Sequence, residues 1–200
     1  MSRTIRRIGI FGGSFDPPHI GHLIIAELSR LTLNLDLVVF VPAYRPPHKQ
    51  GKHPATAGDR LAMTKLAVKG NRALRVSDIE LKRKGVSYTV DTVKAFQRRY
   101  AKAEIYLIVG GDSLLQFHRW KNPGAIMAAA SLAVFRRPGS IHPKSKVPPS
   151  KISWVKGPLM EVSSSDIREK IRNGKSIQYM VRDNVLAYIT RRKLYRNSNN

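Results

Sequence analysis

Gly12-Gly13-Ser14-Phe15-Asp16-Pro17-Pro18-His19-Ile20-Gly21-His22 is the stretch on which the reading of the chain turns. A short apolar run, Ile8-Gly9-Ile10-Phe11, precedes it, and Ile20, Leu23, Ile24, Leu28 and Leu31 follow at helical spacing. These patterns predict a strand, a glycine turn and a helix. A proline suits the start of a helix, where its missing N–H would have had no partner, so the helix is expected to begin near Pro18. His19 and His22 then share one face of its opening turn. The free N–H groups and partial positive charge of a helix N-terminus attract phosphate, and Gly12 and Gly13 let a ligand approach the backbone. A histidine pair at this spacing also serves as a plain helix cap. The glycine pair, Asp-Pro-Pro and Gly21 shift the reading to a phosphate site.

Further along, apolar runs alternate with amphipathic ones. Strands are expected over Leu35 to Val41, Arg75 to Glu80, Glu104 to Val109, Ser131 to Phe135 and Ile152 to Val155. Helices are expected over Asp59 to Lys69, with Ala62, Met63, Leu66 and Ala67 inward, from Ser87 or Thr89 as cap, over Leu114 to Trp120, and after Asn122-Pro123. Another should run from Ser163 to Gly174, and a last one should carry Ile177, Val181, Val185 and Tyr188 on one side. Loops are expected over 43–58 and 140–150. This alternation predicts an α/β fold, a doubly wound parallel sheet in one domain over residues 1–200 with its core at about 5–195. Ligands of such sheets lie beyond the carboxyl ends of the strands, where Gly12-Gly13 and Gly110-Gly111 both fall.

Composition narrows the chemistry. With no cysteine among 200 residues, disulfides, thiolate catalysis and cysteine zinc sites are excluded. The H-E-x-x-H zinc spacing is absent, and His48, His53, His118 and His142 suggest no ligand cluster, so no metal site is assigned. No apolar stretch reaches the length of a membrane span and no signal peptide is evident, so a soluble cytoplasmic protein is the expectation. The net charge of +23 suits either nucleic acid or a polyanionic small substrate. Its scatter along the chain, with no zinc-finger, RNA-binding aromatic or basic-zipper pattern, argues against specific nucleic-acid recognition. Gly174-Lys175-Ser176 lacks the glycine five residues earlier that a P-loop needs, and Gly9 to Gly13 lacks the dinucleotide spacing.

His19-Ile20-Gly21-His22 resembles the (T/H)xGH signature of the nucleotidyltransferase superfamily, and the longer stretch resembles the nicotinate-nucleotide adenylyltransferase family. Val162-Ser163-Ser164-Ser165-Asp166-Ile167-Arg168 is similar to the superfamily's ISSTxIR motif, with Val162 and Ser165 keeping the chemistry of the residues they replace. Pro46-Pro47-His48-Lys49 resembles the family's PPHK element, and Ser87-Tyr88-Thr89 with Asp91-Thr92 its SYTxDT segment. Gly111-Asp112-Ser113 with Phe117 and Trp120, and Arg137-Pro138-Gly139, resemble two more.

The resemblance implies a Rossmann-like nucleotidyltransferase fold and adenylyl transfer from ATP to nicotinate mononucleotide, forming nicotinate adenine dinucleotide and pyrophosphate. His19 and His22 would be catalytic. ATP would be held by these two with Gly12, Gly13, Ser14, Phe15, Gly110, Asp112, Ser163, Ser164, Ser165 and Arg168. The acceptor would meet Lys49, Ser87, Tyr88, Thr89, Trp120 and Arg137, with the tryptophan on the pyridine ring and amides near Ser87 on its carboxylate. Mg2+ would arrive on ATP. Oligomeric state stays open, a homo-oligomer included. Two alternatives also stay open: the same transfer to nicotinamide mononucleotide or phosphopantetheine, and a basic nucleic-acid-binding module that keeps the fold without catalysis.

Overall fold

A computed structural model describes residues 4–47, 54–136, 146–158 and 160–196. Six parallel strands form one sheet: β1 (Arg7–Gly13), β2 (Leu37–Pro42), β3 (Leu74–Val76), β4 (Glu104–Gly110), β5 (Ser131–Arg136) and β6 (Ile152–Lys156). Their spatial order is β3-β2-β1-β4-β5-β6, so the order reverses between β1 and β4. Ile8 pairs with Leu37 on one side and with Ile105 on the other. Every residue of β2 is buried, as expected of a strand covered on both faces.

The two faces take alternate residues of each strand. Ile8, Ile10, Leu37, Val39, Leu107 and Leu132 pack against α4 (Thr89–Arg99), α5 (Gly111–Gln116) and α6 (Pro123–Ala129). Phe11, Val38, Phe40, Ile108 and Ala133 pack toward Ala26 of α1 (Ile20–Thr32) and Val68 of α2 (Ala57–Val68). A third cluster joins Met63 and Ala67 of α2 to Ile167 of α7 (Ser164–Arg172) and to Val185 and Ile189 of α8 (Asp183–Arg191). Each large aliphatic side chain so buried contributes roughly 1.5–3 kcal/mol before chain entropy is charged against it.

Four departures from expectation have local causes. The strand expected over 75–80 is only three residues long, and the chain then turns into a short helix, α3 (Ile79–Arg83). This turn carries Glu80 inward, where its carboxylate accepts the Thr92 hydroxyl at 2.5 Å. On α2, Arg60 and Thr64 are buried beside Met63 and Ala67, and the helix, capped by Thr56, begins at Ala57, two residues before its expected start. The last helix begins only at Asp183: Ile177 and Val181 are buried in the turn before it, and Arg182 donates to the Ala67 and Lys69 carbonyls instead. Val147, in the segment read as an exposed loop, is buried in the core.

Candidate active site

Helix α1 begins at Ile20 rather than near Pro18. A helix starting at the prolines would bond the Ile20 N–H to the Asp16 carbonyl. That carbonyl accepts Arg168 Nη1 at 2.8 Å instead, and Ile20 donates to the Met180 carbonyl at 2.9 Å. Pro17 is also steered away from helical geometry by the proline after it. His19 therefore stands as the N-cap, in extended conformation, and His22 sits in the first turn.

The two imidazoles lie with ring centroids 3.7 Å apart. The backbone N–H of His19 donates to His22 Nδ1 at 3.1 Å, so neutral His22 carries its proton on Nε2. Protonating Nδ1 would break that bond. His19 is 9% exposed, and burial lowers its pKa to about 4, which keeps it neutral near pH 7. The rings are tilted by 37°, and His19 stands beside His22 as a neutral ring rather than an imidazolium. Gly21 leaves room for His19 in this place: a Cβ there would lie 3.0 Å from His19 Nδ1 and 3.1 Å from Val162.

Helix α7 meets this loop from the far end of the chain. Ser164 Oγ donates to the Pro17 carbonyl at 2.8 Å, and Arg168 bridges the Asp16 carbonyl and Ser165 Oγ. Ser163 Oγ caps α7 by accepting the Asp166 N–H. One Arg168 donor is therefore already engaged in holding the loop, and a second turns back to Ser165 on its own helix. Phe15, expected beside ATP, has its ring buried among Phe11, Phe40 and His22, so its side chain supports the imidazole from beneath.

Beside the loop, at the carboxyl ends of β1 and β4, opens a cavity of about 420 Å³. Gly12, Gly13, Ser14, Gly110, Ser87, Tyr88, Thr89 and Trp120 line it. Nothing lies within 4 Å of a Cβ built on Gly12 or Gly110, so both glycines border open space. Asp112 is exposed in the first turn of α5 and is not part of that lining. Trp120 packs on Phe117, and Lys121 Nζ sits 4.1 Å from the centre of the Tyr88 ring. Neither Ser87 nor Thr89 caps α4; Ser87 Oγ accepts the Tyr44 and Arg45 N–H groups, leaving the first turn without a side-chain cap. Glu80, in the cavity wall, is a buried carboxyl whose pKa burial pushes up. Lys49 and Arg137 lie outside the described residues, as do the other residues of their motifs from His48 on and from Arg137 on.

Sequence reasoning missed Arg60, Asp16, Tyr195 and Glu80. Asp16 is 2% exposed and its Oδ1 accepts the Tyr195 hydroxyl at 2.8 Å. For Arg60 a signal existed: it stands at i, i+3, i+4 and i+7 with Met63, Thr64 and Ala67.

The chain is similar to known proteins over nearly its whole length. A family model described as cytidylyltransferase-like matches residues 10–170. The protein of Salinibacter ruber named "Probable nicotinate-nucleotide adenylyltransferase" is 41% identical over 192 residues, covering 94% of this chain and 97% of the relative. The chain belongs to the nicotinate-nucleotide adenylyltransferase family. Another member, from Thermomicrobium roseum and bearing the same name, is 40% identical over 95% of this chain and 92% of its own length. The fold extends to more distant members. The solved structure of Plasmodium falciparum nicotinic acid mononucleotide adenylyltransferase complexed with NaAD superposes with a TM-score of 0.75 at 18% identity, covering 95% of this chain and 97% of that one.

Proposed function

We propose that this chain carries out its family's reaction, transfer of the adenylyl group of ATP to nicotinate mononucleotide with release of pyrophosphate, in the cleft between β1 and β4. An acceptor phosphate oxygen attacks the α-phosphorus in line, and pyrophosphate leaves. That oxygen is already ionised near neutral pH, so no general base is required. Catalysis then rests on positioning two anions and on donors aimed at the charge that develops. The observation that carries this reading is the His19 N–H donated to His22 Nδ1, which puts the proton of neutral His22 on Nε2, the nitrogen that would donate to a phosphate oxygen. Burial keeps His19 neutral, so it serves as a polar wall beside His22 rather than a cation.

The acceptor half is assigned to the 420 Å³ cavity. Trp120 offers a flat face to a pyridine ring, and the α4 start offers amides without a side-chain cap to a carboxylate. Arg168 supports the reading as a positive group beside the phosphate loop, and Lys49 and Arg137 would add charge. Magnesium would come bound to ATP. The donors at the phosphate end are imidazoles, hydroxyls and amides, which suit phosphate oxygens better than a hard cation, so phosphates and water would be its ligands. We place the reaction in one domain spanning the chain, and in the cytoplasm. No helix among the described residues is long and apolar enough to cross a membrane.

The test is pyrophosphate release with ATP and magnesium, comparing nicotinate mononucleotide, nicotinamide mononucleotide and phosphopantetheine. Nicotinate mononucleotide should be preferred by at least about tenfold in kcat/KM, the scale set by leaving one polar site unpaired. Equal rates on the two pyridine nucleotides would remove the carboxylate site from the reading.

A further inference from the structure

Arg60 is the largest fully buried side chain among the described residues, at 1% exposure. A guanidinium so placed is costly unless its donors are satisfied and its charge is met. Nη1 donates to the Ser14 carbonyl at 2.9 Å and Nη2 to the Tyr44 carbonyl at 3.2 Å. Burial lowers its pKa, and the opposing charge is that of Asp16. The two carbonyls belong to different halves of the site. Ser14 opens the loop that leads to His19 and His22. Tyr44 follows β2, and its N–H donates to Ser87 Oγ at the start of the acceptor wall. Between Ser14 and Asp16, Phe15 holds a left-handed backbone at φ +50, a conformation costly for a bulky residue unless its neighbours enforce it. Arg60 grips the residue on one side of it, and Arg168 and Tyr195 grip the residue on the other.

We propose that Arg60 is a positioning residue for the transfer reaction: by holding Ser14 and Tyr44 at once, its planar fork sets the spacing between the histidine loop and the acceptor wall. It touches neither reactant. A lysine in its place keeps the charge but cannot serve two carbonyls in fixed geometry. The inference rests on the adenylyl-transfer reading given above.

The experiment compares Arg60→Lys and Arg60→Met with the unaltered chain and with His22→Ala. Steady-state kinetics are measured for both substrates, alongside melting temperatures and imidazole NMR of His22 below the melting point. In Arg60→Lys, kcat should fall about tenfold to a hundredfold, the scale of a misplacement near 1 Å, while both KM values stay within about threefold. The His22 signal should shift from a pure Nε2–H form toward a mixture of tautomers. A loss of activity that merely follows a lowered fraction of folded protein, with the His22 signal unchanged, overturns the inference by making Arg60 structural only. Wild-type kcat in Arg60→Lys overturns it too. Should Arg60→Met not fold, the lysine variant alone decides. If His22→Ala keeps full activity, the site assignment itself falls. If His22→Ala is inactive and Arg60→Lys is not impaired, only this inference falls.

Discussion

The loop from Ser14 to Pro17 and the start of α4 flank the same cleft, yet they are built in opposite ways. Each residue of the first is gripped from a distance: Ser14 by Arg60, Phe15 by an aromatic cage, Asp16 by Arg168 and Tyr195, Pro17 by Ser164. The second offers amides that no side chain caps, next to a tyrosine overlain by a lysine at the surface. In the proposed reaction the first loop meets the phosphates and must hold its geometry throughout, and remote contacts supply that rigidity. A wall that takes a planar ring and a carboxylate needs open donors and an aromatic face. Rigidity and openness are divided between the two.

The comparison breaks most directly at His22. Replacing it with alanine should lower kcat by about a hundredfold or more, the loss expected for one strong transition-state donor. Turnover within about threefold of wild type would show that the gripped loop serves another purpose. A second expectation concerns the whole protein. His19 has a folded-state pKa of about 4, below its unfolded value, so the unfolded chain takes up the proton first. The stabilisation present above pH 6.5 is therefore lost as pH falls toward 4, by up to about 3 kcal/mol. Urea midpoints measured across that window should drop, and a His19→Gln variant should drop less. An equal drop in both would mean that other groups carry the acid sensitivity. The smallest effect belongs to the open wall. Trp120→Ala should raise the acceptor KM about tenfold through lost stacking and leave the ATP KM within about twofold. A matching rise for ATP would show that the two halves are not separate.

Much of this was legible in the sequence because local chemistry agreed with the global fold. The buried runs of β1, β2, β4 and β5 announced a covered parallel sheet, and the glycines at their ends marked the cleft. The histidine pair was legible as a candidate phosphate site, but the neutrality of His19 was not, because that depends on burial beside Gly21 and Val162. Arg60, an arginine on a helix face that also holds Met63 and Ala67, was masked by the ordinary assumption that arginines are solvated. Asp16 and Tyr195 lie 179 residues apart, and no periodicity connects them. Glu80 reads as the end of a strand over Arg75 to Glu80, with apolar Val76 and Ile79 before it, whereas its burial depends on Thr92 in a later helix.

The hydroxyl of Tyr195 on the carboxylate of Asp16 has a consequence for biogenesis. During synthesis the histidine loop leaves the ribosome well before the residue that braces it, since Tyr195 follows Asp16 by 179 residues. Until α8 and the turn after it dock, the nascent sheet carries an unfinished cleft in which the Asp16 carboxylate lacks the Tyr195 hydroxyl. Proteolytic trimming that removed Tyr195 would return the mature protein to that incomplete state.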